Sequence, residues 1–404
     1  MQISLEWLNE YVDITDLTVE QIVHELTMSG LEVEEVEYKK PSFENIKTAK
    51  IIKNGVIQEP QEFIDETFYD EWMRRGIPKK GDIIFTTEAP LGEVAKIKTD
   101  KKLAFAQRVI ILEPYEEILD SDYLFYALQD RVLKSRIDAR SSGTTVFGIK
   151  SKELKKVEID IPAIETQKKI GRVLYTIDDK VAVNNAINKN LEEQAQTIFT
   201  QHFIDIENTP DGWTEGGLTD IAEYLNGLAM QKFRPENEDD GLPVLKIKEL
   251  RQGICDSESD RCSSEIKRAY IVHDGDVIFS WSGSLLVDFW CGGDCGLNQH
   301  LFKVTSAKYD KWFYYAWTNH HLQEFVKMAT DRATTMGHIK RDALEKARVL
   351  IPNKEDYNHI GTLLQPLYDS IIANRIENRQ LATLRDALLP RLMSGEIDVS
   401  SIEV

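Results

Sequence analysis

From Ile170 onward, seam residues recur at alternating steps of four and three: Ile170, Leu174, Ile177, Val181, Asn184, Asn188, Leu191, Ala195 and Ile198. This spacing predicts one long helix over residues 165–203 with a narrow heptad seam. The pattern returns about 190 residues later through Ile360, Leu364, Leu367, Ile371, Asn374, Asn378, Leu381, Arg385 and Leu388. Both Asn positions return with it. At about 1.5 Å per residue, each helix would be on the order of 50–60 Å long. A seam of that length needs cover, and the simplest partner for each helix is the other one. An intramolecular coiled coil follows, antiparallel because the chain between the helices must return to the far end. Asn in such a seam costs stability but penalises slipped registers, where its amide would lack a partner. Pro366 lies inside the second span and threatens a kink.

Outside the helices the pattern changes. Residues 1–40 read as a small helical unit, with Ile3, Trp7, Leu8 and Tyr11 able to share one helical face. Thr18 with Gln21 makes a capping box before Ile22, Val23 and Leu26, and Gly30 is placed for a C-terminal cap. Residues 31–38 (LEVEEVEY) alternate like a strand. From residue 42 to 162 the chain reads as mixed strands, turns and short helices. Residues 81–87 (GDIIFTT) and 101–114 (KKLAFAQRVIILEP) are strand-like, 122–137 have helical spacing, and 141–150 (SSGTTVFGIK) form a small-residue loop.

This mixed stretch is also repeated. GDIIF at 81–85 answers GDVIF at 275–279, and Gln107 answers Gln299. Tyr126 and Ala127 answer Tyr315 and Ala316. Thr144 and Thr145 answer Thr334 and Thr335, and Ile161 and Pro162 answer Ile351 and Pro352. The chain is therefore globule, long helix, globule, long helix: an α+β internal duplication with pseudo-twofold character.

Composition narrows the class. The 404 residues suggest two to four domains, and 42% hydrophobic content supplies ordinary cores. No apolar run approaches the ~18 residues of a membrane helix. The acidic start lacks a signal peptide's basic region, so a cytoplasmic protein is expected. Cys255, Cys262, Cys291 and Cys295 are separated by six residues, then twenty-eight, then three, without a C-x-x-C knuckle. They read as ordinary cysteines, and no metal site is expected. Net charge is −19, of which residues 1–40 supply −8 through ten acids and two bases. Basic clusters lie elsewhere, at Arg74, Arg75, Lys79 and Lys80, at Arg131, Lys134, Arg136 and Arg140, and at Lys246, Lys248 and Arg251. Distribution decides nucleic-acid binding more than the total does. No phosphate loop, dinucleotide fingerprint, zinc-protease or nucleophile-elbow motif is present, nor an N-P-P-[FY] tetrapeptide. His320 and His321, beside Trp317, read as surface. The chain looks like a binding protein without a catalytic site.

Two related globules on a stiff rod resemble two reading heads on a ruler. B-DNA repeats about every 34 Å, so such heads can address two major-groove segments on one face. Globules of different sequence would read different half-sites, giving an asymmetric, split target. Two other readings are a tRNA-binding or synthetase-related protein and a coiled-coil scaffold.

The residues match a known family at this point. Residues 230–253 (MQKFRPENEDDGLPVLKIKELRQG), 269–293 (AYIVHDGDVIFSWSGSLLVDFWCGG), 295–304 (CGLNQHLFKV) and 63–95 in the first half, with the helix at 165–203, resemble the specificity (S) subunit of Type I restriction-modification systems. The resemblance spans most of the chain. It implies two mixed α/β target-recognition domains separated by two long antiparallel coiled-coil helices, at 42–162, 163–207, 208–352 and 353–404. It implies double-stranded DNA as ligand, two methyltransferase (M) subunits and restriction (R) subunits as partners, and no membrane. S-adenosylmethionine, ATP and Mg would be bound by those partners, with no cofactor in this chain. Residues 1–45 instead resemble the N-terminus of the phenylalanyl-tRNA synthetase β subunit, with 1–41 as a separate helical segment. That segment stands where the second half has its opening strand and turn, so the first domain's usual opening is replaced.

Base readout needs polar side chains at base edges and cations at phosphates. Candidate phosphate contacts are Arg74, Arg75, Lys79 and Lys80. Thr86 and Thr87 belong to one DNA-facing loop, and Trp281, Ser282 and Ser284 to its counterpart. Gln107 with Arg108, and Asn298, Gln299 and His300, offer adenine and guanine pairings. Ser142 and Thr144, and Arg332, Thr334 and Thr335, are donor-rich loops. With its opening intact, the second domain is expected to carry most of the specificity.

Overall fold

The computed structural model describes the chain except residues 1–13, 15–16, 30–32, 34–41, 47–51, 54, 59–62, 75, 144–145, 237–240, 332–340 and 403–404. It divides into two compact units, Met1–Asp160 and Ile161–Val404.

In the first unit, the helix Val19–Met28 opens with its capping box. Gln21 N donates to Thr18 Oγ1 at 3.3 Å, and Thr18 N donates to Gln21 Oε1 at 2.8 Å. The expected helical face of Ile3, Trp7, Leu8 and Tyr11, the Gly30 cap and all of 31–38 except Val33 lie outside the described residues. The strands are β1 (Ser42–Ile46), β2 (Ile52–Lys53), β3 (Val56–Ile57), β4 (Phe63–Asp65), β5 (Ile83–Thr87), β6 (Leu91–Lys96), β7 (Leu103–Phe105) and β8 (Val109–Leu112). One antiparallel sheet has the order β6-β5-β8, and a second has the order β4-β1-β7 with β1 and β7 parallel. Central β5 reads as an unbroken apolar run because both its faces are covered; Ile83, Ile84 and Phe85 are fully buried. Ile84 joins Ala95, Leu103 and Phe105 in one core cluster, and the helix Ser121–Ala127 lies against β5 and β6. The expected single helix over 122–137 is two, because the Asp130 carboxylate accepts from Val132 N at 3.0 Å and starts a new helix, Arg131–Asp138.

The second unit carries β9 (Thr214–Gly217), β10 (Glu223–Asn226), β11 (Leu242–Leu245), β12 (Arg261–Cys262), β13 (Ile271–Val272), β14 (Val277–Ser280), β15 (Leu286–Phe289), β16 (Cys295–Leu297), β17 (Leu301–Thr305) and β18 (Arg348–Ile351). Its sheets run β10-β17-β14-β15, β12-β11-β16-β13 and β18-β9. The duplication is visible in the pairing. Antiparallel β15-β14-β17 repeats β6-β5-β8, and parallel β11-β16 repeats parallel β1-β7. The copies differ at two sheet edges: β13 flanks β16, whereas among the described residues β7 ends its sheet. In the second unit β17 is covered by β10, whereas among the described residues of the first unit β8 ends its sheet. β9 and β18 likewise have no described counterpart. The places of β9 and β10 fall within the synthetase-like segment, and that of β18, the partner of β9, falls at residues 158–161, which form no strand.

The two long helices, Ile164–Phe199 and Lys354–Met393, belong to this second unit and pack antiparallel. The ladder Asp178–Arg385, Asn184–Asn378, Asn188–Asn374 and Glu192–Arg375 fixes the direction. Asn184 Nδ2 donates to Asn378 Oδ1 at 2.9 Å, and Asn374 Nδ2 donates to Asn188 Oδ1 at 2.8 Å. The repeat carries Asn184 onto Asn374 and Asn188 onto Asn378, so the two bonds are copies about a local pseudo-twofold axis. Only one register pairs both amides, which is how polar residues specify a coiled coil. Arg385, the charged member of the second seam, is answered by Asp178 at 2.8 Å. Pro366 sits exposed within the second helix, which continues through it.

The globular part of this unit is fixed to the helices by apolar packing and ion pairs. The first helix ends in a π-turn, Thr200–Ile204, that carries Phe203 into a ring of aromatics: Phe199, Trp213, Trp312, Phe313 and Trp317. Ile360, Leu364, Tyr368 and Ile371 of the second helix share that core. Arg375 Nη1 meets Asp288 Oδ1 at 2.6 Å, and Arg379 Nη2 meets Asp274 Oδ2 at 2.7 Å.

Candidate nucleic-acid interface

In the second unit β14 and β17 are antiparallel, with Ser280 opposite Leu301. The loop leaving β14 and the turn entering β17 therefore meet at one end of the sheet. The opposite end, around Asp274 and Asp288, is held by the second helix. Buried Ser280 clips the loop by donating to Ser284 O at 2.9 Å. Trp281 lies on Phe302, ring centroids 5.5 Å apart, and its Nε1 donates to Asn226 Oδ1 at 3.0 Å. Ser282 Oγ is 3.0 Å from His300 Nδ1, and Gln299 Nε2 is 3.3 Å from His300 Nε2. Asn298 Oδ1 accepts from His300 N at 3.3 Å, and Asn298 N donates to Leu245 O at 3.1 Å. Gly227 lets the neighbouring chain close on this turn, since a Cβ there would lie 2.2 Å from Asn298 O. The short helix Ile247–Gln252 borders the loop through Ile247, near Gly283, and exposes Lys248 and Arg251.

The first unit has the same tip with different side chains. Thr86 repeats the role of Ser280: its Oγ1 donates to Pro90 O at 2.7 Å and accepts from Glu93 N at 2.9 Å. Glu88 stands where the repeat puts Ser282, and Arg108 where it puts His300. Arg108 Nε lies 2.7 Å from Glu88 Oε1. Arg108 adopts φ 73°, which turns the chain between β7 and β8 and leaves Gln107 exposed. Thr87 N donates to Arg108 O at 2.8 Å and Thr87 O accepts from Ile149 N at 2.9 Å. Ser142 joins through its bridge to Gly148, which also bridges Glu88. No described strand stands where β10 supplies Asn226, and Thr87 occupies the place of Trp281.

The structure thus gathers Thr87, Gln107, Arg108 and Ser142 at one tip, and Trp281, Ser282, Ser284, Asn298, Gln299 and His300 at the other. Several expectations need correction. Thr86 is fully buried and both its hydrogen bonds are internal, so it shapes the turn and offers nothing to a base. Ser282 and Asn298 are 3% and 7% exposed and act on their neighbours. Lys79 and Lys80 lie at the opposite end of β5 from the tip, across a strand about 13 Å long at ~3.3 Å per residue. There Lys79 pairs with Glu113 at 2.9 Å and Lys80 with Asp100 at 3.7 Å. Arg74 is exposed beside Phe68 and Trp72, lining an open concavity of about 440 Å³. Arg75, Thr144, Arg332, Thr334 and Thr335 lie outside the described residues.

The other polar groups singled out by sequence are structural. Cys262, Cys291 and Cys295 are buried in cores, and burial pushes the Cys291 thiol up to about 11. Among the described residues no three His, Cys, Asp or Glu side chains group as metal ligands. His321 is buried, not surface: its ring stacks on Trp317 and its Nε2 lies 2.8 Å from Arg348 O. Three features escaped the sequence reading: Glu88, Asn226, and the adjacency of Lys248 and Arg251 to the second tip. Only the repeat alignment of Glu88 with Ser282 could have revealed the first.

Comparison with known proteins agrees with this duplicated architecture. A specificity subunit of the Type I restriction enzyme MjaIX from Methanocaldococcus jannaschii is 28% identical over 352 residues, covering 80% of this chain and 79% of that protein. A crystal structure of a Type I restriction-modification S subunit from M. genitalium superposes with a TM-score of 0.51 at 15% identity, covering 87% of this chain and 92% of that one. A phenylalanine–tRNA ligase β subunit from Syntrophus aciditrophicus is 54% identical over 52 residues, which are 13% of this chain and 6% of the ligase. The Type I restriction modification DNA specificity domain matches residues 38–193 and again 210–383. With that domain present twice, the chain belongs to the family of Type I restriction-modification DNA specificity subunits.

Proposed function

We propose that the chain reads a split, asymmetric DNA target through two recognition domains, residues 42–162 and 208–352, with the helices at 163–207 and 353–404 as spacer and docking surface. The observation that carries this reading is the repeated tip. A buried hydroxyl, Thr86 or Ser280, clips the same turn in both copies, while its neighbours differ except for the shared Gln107 and Gln299. A constant scaffold with variable polar side chains suits two domains that read different bases. Gln107, Arg108 and Ser142 of the first tip, and Trp281 and Gln299 of the second, with His300 behind Gln299, are the side chains we assign to DNA. Lys248 and Arg251 supply phosphate contacts beside the second.

The chain itself carries no catalytic step in this reading. Two methyltransferase subunits bring S-adenosylmethionine, restriction subunits bring ATP and Mg, and the complex acts in the cytoplasm. Residues 1–41 are a borrowed segment without a synthetase role.

Two binding results are expected. The isolated chain, with net charge −19, should bind DNA weakly at physiological salt, because counterion release needs many cations. Joined to its methyltransferase subunits it should bind the target duplex tightly. Replacing Lys248 or Arg251 by alanine should then weaken binding to target and non-target duplexes alike, and lower the slope of log K against log salt by about one. Salt-titrated fluorescence anisotropy checks both. Tight specific binding by the isolated chain would argue against the shared assembly.

A further inference from the structure

The two tips hold more than matched turns. In each, a side chain from the loop after the central strand bonds to the side chain just before β8 or β17. In the first unit the pair is Glu88 with Arg108; in the second it is Ser282 with His300. The β-registers place them equivalently, since Thr86 faces Val109 as Ser280 faces Leu301.

The chemistry differs in a directed way. Glu88 Oε1 lies 2.7 Å from Arg108 Nε, an ion pair at the stem side of the guanidinium, whose other end carries the two terminal nitrogens. That edge is the fork that pairs with guanine O6 and N7. In the second unit Gln299 Nε2 can only donate, so His300 Nε2 accepts from it. The ring proton then sits on Nδ1 and is donated to Ser282 Oγ. Gln299 keeps one N–H and its Oε1, the pair that matches adenine N7 and N6. Ser282 is 3% exposed, so it acts on Gln299 only through the imidazole.

We propose that each tip carries its own readout residue at adjacent positions of the repeat: Arg108, aimed by Glu88, selects guanine in one half-site, and Gln299, aimed through His300 by Ser282, selects adenine in the other. Glu88, Ser282 and His300 are positioning residues. This inference rests on the DNA-reading function proposed above. Glu88 is the residue that composition alone would exclude from a DNA surface. Paired with Nε, its carboxylate restrains the guanidinium, and the two terminal nitrogens are the fork for the base.

The test uses the full chain in complex with its methyltransferase subunits. Single-molecule sequencing of methylated plasmid libraries gives base preference at every position of the target. Arg108→Gln should lower the preference for guanine at one base pair of one half-site by about 5- to 150-fold. Arg108→Lys, which keeps the charge and loses the fork, should do the same. Glu88→Ala should weaken preference at that same base pair and leave the other half-site unchanged. Gln299→Glu should remove the adenine preference at one base pair of the opposite half-site, with Ser282→Ala and His300→Ala giving smaller losses there. A purely structural role would lower methylation evenly at all sites with base preferences intact. That result, or unchanged preference in both Arg108 variants, overturns the inference while the unaltered complex still methylates a defined target. Absence of any target for the unaltered complex would overturn the DNA-reading function itself.

Discussion

Replacing Phe203 by alanine should destabilise the second unit by about 3–5 kcal/mol, the cost of emptying an aromatic site in a close-packed core. Phe203 is 2% exposed and touches rings on every side: Phe199 on the long helix, Trp213 before β9, and Trp312, Phe313 and Trp317 on the helix Lys311–His320. Large fixed rings cannot collapse into the space left behind. Because Phe203 joins the helix to the globular part, the loss should also loosen their attachment. Urea unfolding followed by tryptophan fluorescence reads this directly, since Trp213, Trp312 and Trp317 report on that site. A change below about 1 kcal/mol would mean that the site relaxes freely, against its packing.

The second large effect concerns the two half-sites. Scrambling three base pairs of the half-site read by residues 208–352 should cost about 3–9 kcal/mol in binding, at ~1–3 kcal/mol per mismatched pair. Scrambling the other half-site should cost less. The physical reason is the edge strand. β10 supplies Asn226 to fix the Trp281 indole and brings Gly227 against Asn298, so the second tip is braced on both sides. Among the described residues the first tip has no equivalent, and β8 ends its sheet. Less braced side chains lose more conformational entropy on binding and discriminate less. Competition binding with each half-site scrambled in turn measures the difference. Equal losses would show that the first domain reads DNA fully despite its replaced opening.

The helical pair was legible in the sequence because a heptad seam is a local pattern, and because its Asn pair recurs at the same offset. The repeat made the tips legible too, since Gln107 and Gln299 follow from alignment alone. What sequence could not supply was depth and direction. A hydroxyl in a loop reads alike whether it points to solvent or, as Thr86 does, into its own turn. Lys79 and Lys80 look adjacent to Thr87 along the chain, yet an extended strand carries them to the other end of the sheet. His321 reads as exposed beside Trp317, but it is buried, stacked on Trp317 with its Nε2 against the carbonyl of Arg348, distant in sequence. Glu88 reads as one more loop residue; its partner Arg108 appears only once β5 and β8 are paired.

The central claim is that this chain determines which DNA sequence is modified, through two unlike recognition domains. Methylome sequencing of a host carrying the chain with its methyltransferase subunits, against the same host lacking only the chain, tests it most directly. The account predicts one methylated motif that is present only with the chain, in two different specific parts separated by a fixed non-specific gap. An unchanged methylome, or a single contiguous motif without a gap, would contradict it.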